Sequence, residues 1–135
     1  VEAAHVVAGD DVFTGRERED IDRAVKIAEA DTDLRFTVYV GALGDDSRGK
    51  AAALHRALPD HARSVLVAVD PGSRRVEIVT GSISRRWLDD RSCGLAVLSM
   101  TTSFTAGGLD DGIVNGVRTL AEHARHPRVL HLDQP

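Results

Sequence analysis

A chain of 135 residues, with 42% hydrophobic and 28% charged side chains, has the makings of one globular domain with its own core. A net charge of −4, with only 4% aromatic residues, argues against a nucleic-acid binder, which would be basic or carry stacking platforms. The single cysteine, Cys93, leaves no internal disulfide, and no apolar run approaches the roughly 18 residues that span a bilayer.

The order of elements predicts a single domain over residues 1–135, with its core in 12–126 and short edge segments at both ends. Val1–Ala8 alternates weakly, as an edge strand would. Thr14-Gly15-Arg16-Glu17 has the spacing of a capping box, and Ile21, Ala24, Val25 and Ala28 follow as one helical stripe. Asp20, Asp22, Arg23, Lys26 and Glu29 are expected to face solvent. Arg35–Gly41 reads as a strand with Phe36, Val38 and Val40 inward. The polar loop from Gly41 to Gly49 leads to a helix capped by Asp46 or Ser47, with a stripe of Ala51, Leu54, Ala57 and Leu58, stopped by Pro59.

The centre is the run Ser64–Gly81. Val65–Val69 is apolar on both faces, as a strand covered on both sides must be, and Asp70-Pro71-Gly72 turns the chain into a second strand, Val76–Thr80. The strand–helix–strand order implies a parallel pair followed by an antiparallel partner. Asp89 and Asp90 suit a helix start, and Cys93, Ala96, Val97, Met100 and Phe104 share its apolar face. Ala106-Gly107-Gly108 breaks that helix. Asp110 or Asp111 caps the last one, whose stripe is Ile113, Val114, Val117, Leu120, Ala121 and Ala124. Gly112 and Gly116 would bring it close to a neighbour, and Pro127 ends it. Val129–Leu132 is a final edge segment. The fold class is therefore α/β, a three-layer α/β/α sandwich with two C-terminal helices.

Familiar catalytic motifs do not occur: no P-loop, no dinucleotide fingerprint, no nucleophile elbow. Three constellations remain. Ligands of parallel α/β sheets bind beyond the carboxyl ends of the strands, where Asp70 falls. Asp45, Asp46 and Asp70, with Asp89 and Asp90, are candidate oxygen ligands for Ca²⁺ or Mg²⁺. The competing expectation is that Asp70 opens a turn and Asp46 caps a helix. His123, His126 and His131 lack a fixed carboxylate or thiolate companion and are expected at the surface. Arg74, Arg75, Arg85, Arg86 and Arg91, with Trp87 among them, have the residue types of an interface anchor.

The segments LRFTVYVGALG, SVLVAVDPGSRRVEIVTG, LDDRSCGLAVLSM and SFTAGGLDDGIVNGVRTLAEHA resemble an actinobacterial family of unknown function allied to the TPM domain. That domain takes its name from thylakoid-lumen, photosystem-repair and nematode membrane proteins. The resemblance covers Val12 to Ala124. It implies a three-layer α/β/α sandwich and two kinds of function. Some TPM relatives are described as metal-dependent acid phosphatases, whereas close actinobacterial relatives are peripheral subunits of respiratory supercomplexes. Leu88-Asp89 matches the TPM Leu-x-Asp, and Gly107 to Gly112 its glycine–acidic segment. Two positions depart from the pattern: Gly81-Ser82-Ile83 keeps one glycine of Gly-x-Gly, and Pro59–Arg63 replaces an Asn-Gly.

The expectation that follows is a non-catalytic accessory domain docking on a protein partner or membrane complex through Arg74, Arg75, Arg85, Arg86 and Trp87, with no cofactor and no nucleic acid. The alternative is a phosphatase acting on phosphate monoesters, with Ca²⁺ or Mg²⁺ held by the five aspartates. A third, a small-ligand or lipid-head module, predicts a pocket lined by apolar side chains beside the sheet. The expected location is cytoplasmic or peripheral to the membrane, and a removed leader or anchor is compatible with a chain that begins on Val1.

Overall fold

The computed structural model describes residues 6–8, 12–106 and 108–125. Its elements are β1 (Val6–Ala8), α1 (Gly15–Thr32), β2 (Arg35–Val40), α2 (Ser47–Arg56), β3 (Ser64–Asp70), β4 (Arg75–Thr80), α3 (Asp90–Ala106) and α4 (Leu109–Arg125). The four strands form one sheet in the order β1-β2-β3-β4. β1 and β3 both run parallel to β2, and β4 closes the sheet antiparallel to β3. Of the two expected edge segments, Val1–Ala8 is described only at β1, and Val129–Leu132 lies outside the described residues.

Every residue of β3 is buried, because both faces of the sheet are covered. Pairing of Phe36 with Val65, Val38 with Val67 and Val40 with Val69 puts all six on one face, where they meet Ile21, Val25, Met100 and Val117 from the helices. Leu66 and Ala68 face the other way, toward Ala51, Leu43 and Val79. Three helices, α1, α3 and α4, thus cover one face and α2 covers the other, which is the three-layer sandwich.

The capping box at α1 forms as its spacing predicts. Glu17 N–H donates to Thr14 Oγ1 at 3.1 Å, and Thr14 N–H donates back to Glu17 Oε1 at 2.9 Å. α4 packs between α1 and α3. Its approach to α3 depends on two glycines: a Cβ at Gly112 would strike the Phe104 ring, and one at Gly116 would strike the Met100 side chain.

Four details differ from expectation. Glu29 is not merely solvated; its Oε2 accepts from Phe36 N–H at 2.9 Å and so ties α1 to β2. In α2 the buried position is His55, one turn after Ala51, while Ala57 is exposed because the helix has already ended at Arg56. α4 begins at Leu109, so Asp110 and Asp111 occupy its first turn rather than its cap, where they still complement the helix dipole. The connection after β4 contains a 3₁₀ turn, Ser84–Arg86.

Candidate functional site

Asp70 ends β3 and is buried, yet its carboxylate is fully engaged. Oδ2 accepts from Leu43 N–H at 2.9 Å, and Oδ1 accepts from Gly72 N–H at 3.1 Å and Ser73 N–H at 3.3 Å. The Leu43 amide, reinforced by Ser73 and Gly72, holds the carboxyl below its ordinary value, against the opposing effect of burial. Asp70 therefore staples the β2–α2 loop to the hairpin turn, and the turn delivers Arg74 in the left-handed region at φ 59°.

The other candidate carboxylates have separate local positions. Asp46 Oδ1 accepts from Gly49 N–H at 3.0 Å as the cap of α2. Asp89 Oδ1 accepts from Ser92 N–H at 2.9 Å at the start of α3, and Asp90 is in that helix's first turn. Asp45 is exposed, and its backbone carbonyl accepts from Arg75 Nη1 at 3.5 Å. Among the described residues no three His, Cys, Asp or Glu side chains gather as a metal site. The convergence that the metal alternative needs is not seen among the described residues: Asp46 and Asp89 accept from amides of the helix turns beside them, and Asp70 from its own turn and from Leu43 across the loop.

Beside Asp70 lies a groove of about 490 Å³ between the hairpin turn and the junction of α3 and α4. Val69, Phe104 and Leu109 give it apolar walls, Thr101 and Thr105 contribute hydroxyls, and Arg74 stands over it. Four of its eight lining residues, Asp70, Arg74, Thr101 and Thr105, are polar or charged, whereas the small-ligand expectation called for apolar walls. A larger groove of about 740 Å³ runs along α1 and α4, its lining of alanines bordered by charged side chains including Asp20, Arg23 and Arg118.

The basic constellation divides into two. Arg74 and Arg75 stand at the hairpin turn, whereas Arg85, Arg86 and Trp87 follow the far end of β4, a strand about 20 Å long. Arg75 is also separated from Arg74, because Arg75 opens β4 while Arg74 lies in the left-handed turn before it. Its guanidinium lies on the α2 face, 3.4 Å from Ser47 Oγ, among the contacts of Glu77 with Ser47 and Arg48. The Arg85-Arg86-Trp87 segment is rigidly held. Ser84, fully buried, accepts from Gly81 N–H at 2.8 Å and donates to Ser64 O at 3.0 Å, and Ile83 N–H donates to Ala62 O at 2.8 Å. Gly81 is required here because a Cβ would collide with the carbonyls of His61 and Ala62. Upon this base Arg85, Arg86 and Trp87 are all exposed.

Two features escaped the sequence reading. His55 is buried, and its Nε2 lies 3.0 Å from Ser64 O, the carbonyl that also accepts from Ser84. The i, i+4 relation to Ala51 was the available signal. The second is the outward face of α3, where Leu95 and Leu98 are 43% and 64% exposed. Cys93, on the inward side, is half-buried, and burial, followed by the charges of Asp90 and Asp89, pushes its thiol up to about 11, so it is protonated and inert at neutral pH. His123 is half-buried on the last turn of α4; His126 and His131 lie outside the described residues.

These features define a mixed α/β domain that displays exposed arginine, tryptophan and leucine side chains from a rigid frame. Three solved structures share the fold at a TM-score of 0.73 each. They are the N-terminal domain of a P. gingivalis protein (17% identity, 90% of this chain and 82% of that one), the BA42 protein of Bizionia argentinensis (17%, 86% and 83%) and the N-terminal domain of the cg2496 protein of Corynebacterium glutamicum (13%, 89% and 79%). The chain belongs to the family described as "Domain of unknown function (DUF5130)", which matches residues 2–121. It is 30% identical over 101 residues to an uncharacterized protein of Mycobacterium tuberculosis, seen in strains H37Rv and CDC 1551 alike. That match takes in 75% of this chain and spans 60% of the relative's length.

Proposed function

We propose that this domain is a non-catalytic accessory module, allied to the TPM group, that docks on a larger membrane-associated assembly of the respiratory-supercomplex kind. The observation that carries the reading is the Arg85-Arg86-Trp87 turn. Its backbone is pinned by the buried Ser84 and Gly81, Arg85 and Arg86 are exposed, and Trp87 keeps 38% of its surface open. Arginine and tryptophan on a rigid frame lose little conformational entropy on binding and are the side chains that dominate interface energies. Arg74 extends the same surface chemistry at the other end of the hairpin. The resemblance to supercomplex subunits supplies the kind of partner, and a peripheral location follows from it.

The phosphatase alternative rests on Asp70 at a strand end beside Arg74, and it would require that carboxylate to exchange three amide partners for a metal ion. Docking asks for no such rearrangement. The test is recovery of partners from detergent-solubilised native membranes with the wild-type domain and with Arg86→Glu and Trp87→Ala. Each substitution should lower recovery of the same partners at least about tenfold, a loss of about 1.4 kcal/mol. Undiminished recovery by both would sink the interface.

A further inference from the structure

We propose that the groove beside Asp70 binds a small organic monoanion, a carboxylate on a hydrocarbon body. Arg74 meets the carboxylate, and Val69, Phe104 and Leu109 cover the hydrocarbon. The inference goes beyond the docking reading and uses no part of the Arg85-Arg86-Trp87 turn.

The groove has the size and the place of a ligand site. Its volume, about 490 Å³, lies within the roughly 300–1,000 Å³ of small-molecule sites. It sits at the carboxyl end of β3, where parallel α/β sheets take their ligands. Phe104 and Leu109, both half-buried, bring apolar surface to it from the end of α3 and the start of α4.

Hydrogen-bond accounting selects the sign of the ligand. Asp70 already accepts from the amides of Leu43, Gly72 and Ser73. Thr101 Oγ1 donates to Leu98 O at 3.0 Å and Thr105 Oγ1 to Thr101 O at 3.1 Å, so both hydroxyl protons are used inside α3. The side-chain donor that remains is the Arg74 guanidinium, which has no hydrogen bond or ion pair among the described residues. A group that enters beside it has to accept, and any charge it carries has to be negative.

The turn itself has no need of this side chain. At φ 59° glycine would sit without strain, yet the position holds a cation above a concave surface. That setting separates Arg74 from other exposed arginines. The groove along α1 and α4 has three arginines in its lining, but five carboxylates accompany them, so it offers no net attraction to an anion.

The walls then select the body and the number of charges. Free phosphate, as a dianion, would find one guanidinium, be repelled by the Asp70 carboxylate in the same lining, and leave the apolar walls uncovered. A neutral hydrocarbon would take water from Arg74 and return no partner. A monoanion with a hydrocarbon body satisfies both parts of the groove.

The experiment titrates the ¹⁵N-labelled chain with octanoate, with octan-1-ol (the chain without the charge) and with inorganic phosphate (the charge without the chain). Amide shifts and calorimetry are the readouts. Octanoate should bind, with shifts concentrated at residues 72–75 and 101–105, and the other two should bind at least about tenfold more weakly. Arg74→Gly, at a backbone angle that suits glycine, should melt no lower than the wild type and lose octanoate about tenfold, with octan-1-ol unaffected. Thr105→Asp, at an exposed position on the groove wall, should lose octanoate by a similar factor. Arg86→Glu and Trp87→Ala should bind it like the wild type. No octanoate binding, equal binding of octanoate and either control, or undiminished binding by Arg74→Gly would overturn the inference. Octanoate binding without recovery of membrane partners would leave the inference standing and end the docking reading; recovery of partners without octanoate binding would do the reverse.

Discussion

Helices α1 and α3 have 18 and 17 residues, cover the same face of the sheet and pack against the same neighbour, α4. Their inward faces are alike: Ile21, Val25 and Ala28 in one, Ala96 and Met100 in the other. Their outward faces are opposites. α1 exposes Arg16, Arg18, Glu19, Arg23 and Lys26, and pairs Arg23 with Asp20 and Lys26 with Asp22. α3 exposes Leu95 and Leu98 and carries no charge after Asp90 and Arg91 in its first turn. Core formation constrains only the inward face, so α1 shows what solubility writes on a free surface. The α3 ridge is written by something else, and contact with a partner is the physical reason available.

The comparison breaks most completely if α3 loses its seat on α4. Gly116→Val would press a branched side chain into the fully buried Met100 side chain. Overpacking of this kind is expected to cost about 2–3 kcal/mol, seen as a lower denaturant midpoint with an unchanged slope. An unchanged midpoint would mean that α3 slides on α4 and presents no fixed ridge.

A smaller effect separates the two helices by their supports. Asp70 shapes the turn that faces Thr101, Phe104 and Thr105 across the groove, and α1 has no such wall. Asp70→Asn should lose about 1–2 kcal/mol near neutral pH, since it removes a charged acceptor from buried amides. The sign with pH follows from the depressed carboxyl. Its contribution is complete above the unfolded carboxylate pKa, about 3.9, and fades as pH falls through the lower folded value. The gap between wild type and Asp70→Asn should therefore close in acid, and amide exchange should quicken in the second half of α3 and stay unchanged in α1. A gap that stays constant down through that range would remove Asp70 as the cause.

What was legible in the sequence was whatever depends on local period. Alternation placed Phe36, Val38 and Val40 with Val65, Val67 and Val69, and the Thr14–Glu17 spacing placed the α1 cap, because each is decided within one element or one pairing. The use of Asp70 was hidden because its main partner, Leu43 N–H, lies 27 residues away on another loop. An acid at a strand end looks the same whether amides or an ion will meet it. Alternation could place Arg75 on one face with Glu77 and Val79, but the left-handed turn that sets Arg74 apart carries no such period. Leu95 and Leu98 were visible at i, i+3 as well. The stripe of Cys93, Ala96, Val97, Met100 and Phe104 already accounts for the core, and only the observed exposure shows that the second apolar face stays uncovered.

The smallest expected change in stability gives the sharpest form of the comparison. Ile27 is 55% exposed on α1 and Leu98 is 64% exposed on α3, so Ile27→Asp and Leu98→Asp should each shift unfolding free energy by no more than about 0.5 kcal/mol. Ile27 lies beside a groove already bordered by Asp20, Arg23 and Arg118, where one more carboxylate changes little. Leu98 is the crest of an uncharged ridge, where a carboxylate must be desolvated before any apolar surface can close over it. Recovery on membranes should therefore survive Ile27→Asp and fall about tenfold or more with Leu98→Asp. Equal losses would show that general surface charge governs the association, and equal retention would make the α3 ridge as indifferent as that of α1.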